Sequence, residues 1–231
     1  MKKILLLLFI GLGFLKAQDS EILITPTIAT TTIDSITVNA TDTLFAPANS
    51  FTSVTAGMKI YGYYIPEGTV VVSTSTTKDT LIMSANAKGS NTLQSLNIGL
   101  YNNTQYTSGD WLGLPFQIFS NGQGGVITLI SLFATDSSDQ LGNFDIAFFG
   151  SFSDTLGLDN GTLAIPGIVF NNMNGYCAVT STTDLGTLRI GQKDGINLAI
   201  PNGTLYGRLI ARSTPTFTAT TNLKLRLRFK N

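Results

Sequence analysis

"TNLKLRLRFKN", residues 221–231, closes the chain with a regular alternation of apolar and basic residues. In order, the alternating positions are Leu223, Lys224, Leu225, Arg226, Leu227, Arg228, Phe229 and Lys230. Successive side chains of a β-strand point to opposite faces of the sheet. The segment therefore predicts a strand with an apolar face on a core and an outward basic stripe, formed by Lys224, Arg226, Arg228 and Lys230.

Strand-like segments also occupy much of the chain before the basic stripe. They are short, rich in β-branched residues and bounded by Gly, Asn, Asp or Pro, for example ILITPTI (22–28), GTVVVSTS (68–75), GVITLISLFA (125–134), FDIAFFG (144–150) and TLYGRLIA (204–211). No window after residue 17 sustains the apolar spacing of an amphipathic helix. The pattern predicts an all-β chain, with a small N-terminal β-module followed by a larger, jelly-roll-like antiparallel β-sandwich.

The composition excludes several kinds of catalytic and metal site. The chain has 231 residues, of which 12% are charged and none is His, and Cys177 is its single cysteine. A His-based triad, a His-ligated zinc and a Cys–His dyad are therefore impossible, as is a disulfide within one chain. No pair of carboxylates stands out for glycoside hydrolysis. We expect a non-enzymatic protein without a cofactor, and we expect Cys177 to be a buried small hydrophobe.

The N-terminus has the pattern of a secretory signal. Lys2 and Lys3 precede an apolar run from Ile4 to Phe14, and Ala17 stands where a cut would follow. The run is shorter than the roughly 20 residues of an ordinary membrane span. We predict a signal-like leader over residues 1–17. The alternative is a retained apolar segment that packs into an assembly.

A polar stretch near residues 100–110, LYNNTQYTSGD, separates two segments of different character. The strands before it are rich in Thr and Val, whereas those after it are rich in Phe, which buries a large apolar area. We therefore predict a small β-module over residues 18–100 and a β-sandwich over residues 101–231.

The stretch Ala56–Gly99 carries a recognisable spacing of glycines and apolar residues. The matching positions are Gly57, Met58, Ile60, Gly62, Ile65, Pro66, Gly68, Thr69, Val71, Leu81, Ser84 and Ala87. This pattern resembles a small β-module common in phage structural proteins and large bacterial surface proteins. Tyr64 departs from it, because the family often has a glycine there. The resemblance implies a spacer or docking module without catalytic residues.

Three segments that follow one another along the C-terminal half carry a second pattern. They are YTSGDWLGLPFQI (106–118), FDIAFFGS (144–151) and TLYGRLIARSTPTFTATTNLKLRLRF (204–229). Together they resemble a family of tailed-phage virion-associated structural proteins. The resemblance implies a β-sandwich on the exterior of a capsid or tail, often oligomeric. We expect a decoration- or fibre-type virion protein that contacts other virion proteins such as the capsid. The leader favours the alternative, an exported bacterial cell-surface or adhesion protein built from phage-type β-modules.

Charge is segregated along the C-terminal half. No Lys or Arg lies between Lys88 and Arg189, an interval with seven Asp, whereas eight basic residues follow from Arg189 onward. The basic stripe could be a solvated face that protects a sheet edge, could pair with the Asp-rich interval of the same or a neighbouring subunit, or could contact phosphate. We expect a homo-oligomer, with a trimer as the expected state, and no nucleic acid. The candidate subunit-interface charges are Lys224, Arg226, Arg228, Lys230, Asp136, Asp139 and Asp145.

Two further sites follow weaker patterns. Asp136, Asp139, Asn143 and Asp145 lie in one turn-rich segment whose oxygens could bind Ca²⁺, although a polar loop without metal is the simpler interpretation. A sugar of a host surface glycan could stack on aromatic residues drawn from Trp111, Tyr106 and Tyr101. For Trp111 we expect the core instead.

Overall fold

A computed structural model gives the fold of the chain. It describes residues 19–103, 105–119, 125–135, 142–151, 156–165, 171–180, 182–200 and 204–230. The predicted leader, residues 1–17, lies outside the described residues. None of the described segments forms a helix long and apolar enough to cross a membrane.

Antiparallel strands build the described part of the chain. In chain order they are β1 (Asp19–Ile24), β2 (Thr30–Asn39), β3 (Thr43–Phe45), β4 (Ile60–Tyr61), β5 (Val71–Thr74), β6 (Thr80–Met83), β7 (Ser90–Tyr101), β8 (Trp111–Phe119), β9 (Gly125–Ala134), β10 (Phe144–Phe149), β11 (Met173–Val179), β12 (Thr182–Asp184), β13 (Arg189–Ile200), β14 (Thr204–Ala211) and β15 (Leu223–Lys230). The all-β fold class is confirmed.

The strands form three sheets. A six-stranded sheet has the order β4-β7-β2-β3-β6-β5, a five-stranded sheet the order β1-β15-β9-β13-β12, and a four-stranded sheet the order β11-β10-β14-β8. The last two sheets face each other across one apolar core, to which both contribute buried side chains such as Leu225 and Leu209. They are the sandwich that the sequence predicts.

The six-stranded sheet curls around a core of its own. Its two end strands meet, because a bridge joins Lys59 to Val70 next to β4 and β5. Ile36, Leu44, Leu81 and Leu96 are among the residues buried inside it. This N-terminal unit covers β2 to β7 and contains the whole stretch that resembles the phage module.

Two residues in turns of the N-terminal unit, Gly68 and Tyr64, have positive φ. The amide of Thr69 donates to the carbonyl of Pro66 at 3.3 Å, and Gly68 has φ +76° at the third position of that turn, as a type II turn requires. Tyr64 has φ +67°, a left-handed conformation that glycine adopts more easily. Tyr64 therefore lies in a backbone conformation that favours glycine.

The C-terminal strand has the two faces that its alternation predicts. Leu223, Leu225 and Leu227 are fully buried and Phe229 nearly so, while the basic residues between them lie on the outer face. On one side β15 pairs with β9, and on the other it pairs with β1. Burial of each apolar side chain stabilises the fold by about 1.5–3 kcal/mol relative to its exposure.

The first strand joins the sheet of the last strand. β1 pairs along its whole length with β15, from Asp19 opposite Lys230 to Ile24 opposite Leu225. Ile22 and Ile24 pack against the sandwich core. Residues 19–24 are thus part of the sandwich in space, although the predicted boundary places them with the N-terminal module. The division of the chain into two domains stays a prediction.

We expect Leu227→Ala to lower the free energy of unfolding by about 2–5 kcal/mol, because it leaves a cavity in a packed core. Lys224→Ala on the same strand should change it by less than about 0.5 kcal/mol, since its side chain is exposed. Urea unfolding followed by tryptophan fluorescence measures both. Equal losses in the two variants would contradict the predicted difference between the two faces of β15.

Candidate functional site

The centre of the basic stripe is paired within the chain. Glu21 on β1 lies 2.8 Å from Arg228 and 3.9 Å from Arg226. The hydrogen bond from Arg228 is the largest of the causes that lower the pKa of Glu21 below its ordinary value. The guanidinium of Arg226 also lies over the ring of Phe133, 5.1 Å from its centroid. Lys224 and Lys230, at the ends of the stripe, are exposed.

Asp145 is buried and has partners in its own chain. Its carboxylate accepts hydrogen bonds from the guanidinium of Arg212 and from the hydroxyl of Tyr176. Arg212 also donates to that hydroxyl at 3.1 Å, and the hydrogen bond to Asp145 is the largest cause that raises the pKa of Arg212. Asp136 and Asp139 lie outside the described residues. A subunit contact through the seven candidate charges stays a prediction.

The described part of the candidate calcium site does not form a metal-binding arrangement. Asp145 is occupied by Arg212 and Tyr176, and the backbone carbonyl of Asn143 accepts a hydrogen bond from the amide of Arg212 at 3.0 Å. Among the described residues, no three Asp, Glu, Cys or His side chains gather as metal ligands do.

The candidate sugar-stacking aromatics do not form a shared exposed surface. Trp111 and Tyr106 are fully buried, so the expectation that Trp111 belongs to the core is confirmed. Tyr101 is partly exposed, and its hydroxyl donates to the carbonyl of Phe217 at 2.7 Å. Cys177 is buried as expected, and that burial raises the pKa of its thiol.

A buried carboxylate, Asp159, lies where the N-terminal unit meets the sandwich. One of its oxygens accepts from the amide and the hydroxyl of Thr30 on β2, both at 2.7 Å. The other accepts from the hydroxyl of Tyr106 at 2.8 Å and from the amide of Gly113 on β8 at 2.7 Å. Four donors from both units thus surround one side chain that is 4% exposed.

Two further hydrogen bonds extend this cluster into the N-terminal unit. The amide of Asp159 donates to the side-chain oxygen of Asn97 at 2.6 Å, and Asn97 in turn donates to Thr32 at 3.0 Å. The hydroxyl of Tyr106 accepts from the amide of Ala29 at 2.6 Å. Burial raises the pKa of Asp159 above its ordinary value, while hydrogen bonds from Thr30, Tyr106 and Gly113 oppose that shift.

A fully buried guanidinium lies on the other side of Gly113. Arg208, on β14, donates from Nε to the carbonyl of Gly113 at 3.1 Å. It also donates to the carbonyls of Leu156 and Gly157, at 3.2 and 2.8 Å. Its central carbon lies 4.6 Å from the ring centroid of Trp111. The backbone of Gly113 therefore contacts a buried anion through its N–H and a buried cation through its C=O.

Local sequence explains how these groups reach one another. Gly113 has φ +84°, and a Cβ there would lie 2.6 Å from the carbonyl oxygen of Thr27, so the position requires glycine. Asp159 stands in a tight turn in which Asn160 has φ +57° and the amide of Gly161 donates to the carbonyl of Leu158 at 3.1 Å. We call Asp159, Tyr106, Thr30, Gly113 and Arg208 the junction cluster.

A groove beside the junction cluster separates the N-terminal unit from β8. It has a volume of about 240 Å³. Its walls include the apolar residues Leu114 and Phe116, and Glu67 reaches it from the turn of the N-terminal unit. Burial raises the pKa of Glu67, and the hydroxyl of Tyr206 on β14 is hydrogen-bonded to its carboxylate. Burial, together with Glu67, raises the pKa of Tyr206 to about 12.

The junction cluster was not predicted from the sequence. The one usable signal is the period of β14: Arg208 shares a face with Tyr206 and Ile210, both of which are suited to burial. A cation on such a face needs buried acceptors. Asp159, by contrast, lies in a turn-like stretch where an aspartate is ordinary.

We expect Gly113→Ala to lower the free energy of unfolding by about 2–5 kcal/mol, because the new methyl group adds both a backbone strain and a clash. Gly57→Ala is the matched control, since Gly57 has φ +87° and open space around its Cβ position. Its cost should be about 1–2 kcal/mol. Chemical unfolding checks both, and a smaller loss for Gly113→Ala than for Gly57→Ala would contradict the close packing at the junction.

We expect Tyr106→Phe to cost about 1–3 kcal/mol, because it leaves the buried amide of Ala29 without its acceptor and removes one donor from Asp159. The control is Tyr101→Phe, which removes a half-exposed hydroxyl that water can replace, with an expected cost below about 1 kcal/mol. Thermal and urea unfolding of both variants measure the two losses in the free energy of unfolding. If Tyr101→Phe costs more, Tyr106 is not a principal hydrogen-bonding residue of the junction.

Comparison of the chain with protein-family models, with curated proteins and with solved structures gives no match. Support for a function comes from the residues of this chain and from the geometry described above.

Proposed function

We propose that this protein is a non-enzymatic structural component of a particle exterior, namely a decoration- or fibre-type protein on the capsid or tail of a tailed phage. The junction cluster is the observation that carries the proposal. Its buried ionisable side chains are bound by backbone amides, carbonyls and hydroxyls of the two β-units. Such an arrangement fixes one unit against the other, which suits a part that is held between neighbours.

The resemblance of two segments to phage modules supports the same proposal. The N-terminal unit, which contains the first of them, would dock or extend, and the sandwich would supply the main packed body. We further propose that the protein is a homo-oligomer, with a trimer as the expected state, and that it contacts the capsid. Glu21 pairs with the two central arginines, whereas Lys224 and Lys230 at the ends of the stripe are exposed, and these two lysines would supply the subunit contact.

A second candidate is an exported bacterial cell-surface or adhesion protein. The observation that favours it is the signal-like pattern of residues 1–17, with two lysines before an apolar run. Phage heads assemble in the cytoplasm, where such a leader has no evident use. The two candidates therefore predict different N-termini and different locations.

Particle purification followed by mass spectrometry and cryo-electron microscopy tests the proposal. We expect the chain on the outer surface of purified virions, with a sequence that begins at Met1 or Lys2. Its absence from virions would overturn the phage proposal. A mature chain that starts at Gln18 and is found in the cell envelope would establish the second candidate instead.

Charge reversal tests the oligomer separately from the location. We expect Lys224→Glu with Lys230→Glu to shift the molar mass measured by light scattering towards the monomer, because like charges would then oppose the contact. Lys193→Glu is the control, since Lys193 is exposed on β13 beside Cys177 and lies away from the stripe. A wild-type monomer at all concentrations, or an oligomer unchanged by the double variant, would remove the stripe from the proposed interface.

A further inference from the structure

The groove between the N-terminal unit and β8 combines an apolar wall with a few polar side chains. Lys59, Glu67 and Thr69 line it from the N-terminal unit, and Leu114, Phe116 and Gln117 line it from β8. Ligand sites in proteins are typically concave and mostly apolar, with a small number of polar groups that fix orientation. The groove has this composition, and it is separate from the residues of the basic stripe.

The polar groups of the groove balance one another in charge. Glu67 contributes a half-buried carboxylate and Lys59 an exposed ammonium group whose charge acts on that carboxylate. The hydroxyl of Tyr206 donates one hydrogen bond to Glu67, whose two oxygens have about four acceptor positions in all. The formal charge of the lining is therefore zero, while donors and acceptors are both present.

This balance restricts the chemistry of a ligand. A purely apolar molecule would desolvate the carboxylate of Glu67 without replacing its hydrogen bonds to water. An anion placed on Lys59 would be repelled by Glu67, and a cation placed on Glu67 would be repelled by Lys59 and by Lys88, whose charge also acts on that carboxylate. The ammonium group of an amino acid, placed on Glu67, would be repelled by Lys59. Hydroxyl groups fit, because each can donate to the carboxylate and accept from the ammonium or from an amide.

We propose that the groove binds a neutral sugar residue, with its hydroxyls on Glu67, Lys59 and Gln117 and its C–H face on the half-buried side chains of Ile24 and Pro115. The site differs from the stacking aromatics that the sequence suggested, because Trp111 and Tyr106 lie inside the core. The proposal does not depend on the location of the protein. On a particle or a cell surface, it would give the chain a means of contacting glycans.

Saturation-transfer NMR on the purified chain tests the proposal with glucose, galactose, mannose and N-acetylglucosamine as neutral probes. Glucose-6-phosphate and leucine serve as the charged and zwitterionic probes. We expect signals from at least one neutral sugar, with dissociation constants on the order of millimolar. A response confined to the phosphate sugar or to leucine would overturn the assignment, as would no response to any probe.

Variants locate the binding in the groove. Glu67→Gln and Lys59→Ala should each weaken the binding of the responding sugar by about tenfold or more, since each removes a hydrogen-bonding group from the lining. Asp42→Asn is the control, because its exposed carboxylate lies on the same unit and accepts a hydrogen bond from the hydroxyl of Thr43. The affinity of Asp42→Asn for the responding sugar should equal that of the wild type.

Thermal unfolding of each variant separates lost binding from lost folding. Lys59 is exposed, so Lys59→Ala should unfold at the wild-type temperature and remain a valid test even if Glu67→Gln is destabilised. Sugar binding that survives in folded Lys59→Ala and in folded Glu67→Gln would overturn the site. Absence of the chain from virions would leave this result intact, so the two proposals fail separately.

Discussion

The structure depends on the backbone of one glycine residue that lies between two buried charges. The N–H of Gly113 donates to the carboxylate of Asp159, and its C=O accepts from the guanidinium of Arg208. A buried charge is stable only when hydrogen bonds or opposite charges replace its lost hydration. Here backbone groups supply hydrogen bonds to both charges, and the hydroxyls of Thr30 and Tyr106 add two more to Asp159. The strand that carries Gly113 thereby fixes the loop with Asp159, strand β14 and the start of β2 in one arrangement.

This arrangement makes the join between the two β-units specific. Apolar contacts alone would allow small slips between the units, because dispersion and hydrophobic burial have little directional preference. The carboxylate of Asp159, by contrast, accepts four hydrogen bonds at 2.7–2.8 Å from three different parts of the chain. A shift of either unit would leave a buried donor unpaired, at a cost of about 1–3 kcal/mol for each group.

The sequence predicts those features of the fold that repeat along the chain. The alternation in β15 identifies its two faces because a strand has a fixed period of two. The β-branched segments predict strands because no window after residue 17 has the apolar spacing of a helix. The spacing of Gly68 and Pro66 predicts a turn, since only glycine adopts that conformation readily. These are local rules, and the structure agrees with them.

The junction cluster and the groove depend on contacts between residues that are far apart in the sequence. Asp159 meets Thr30 across 129 positions and Tyr106 across 53. Each of these residues is ordinary in its own neighbourhood, so no local pattern marks it as a partner of the others. The same holds for Glu67, because a glutamate is ordinary in a turn. Its role becomes visible only through its hydrogen bond with Tyr206. Arg208 is the exception, because its strand places it among apolar neighbours.

The pairing of β1 with β15 has a consequence for synthesis. Strand β1 pairs with β15, which is about 200 residues further along the chain, so this sheet cannot be completed until the ribosome has released β15. Contacts of such large sequence separation form slowly. The six-stranded sheet, whose strands all lie within residues 30–101, can fold while the rest is still being made. During synthesis the N-terminal unit is therefore folded while the apolar strands of the sandwich are still unpaired. A chaperone or an export machinery would bind the nascent chain in that state.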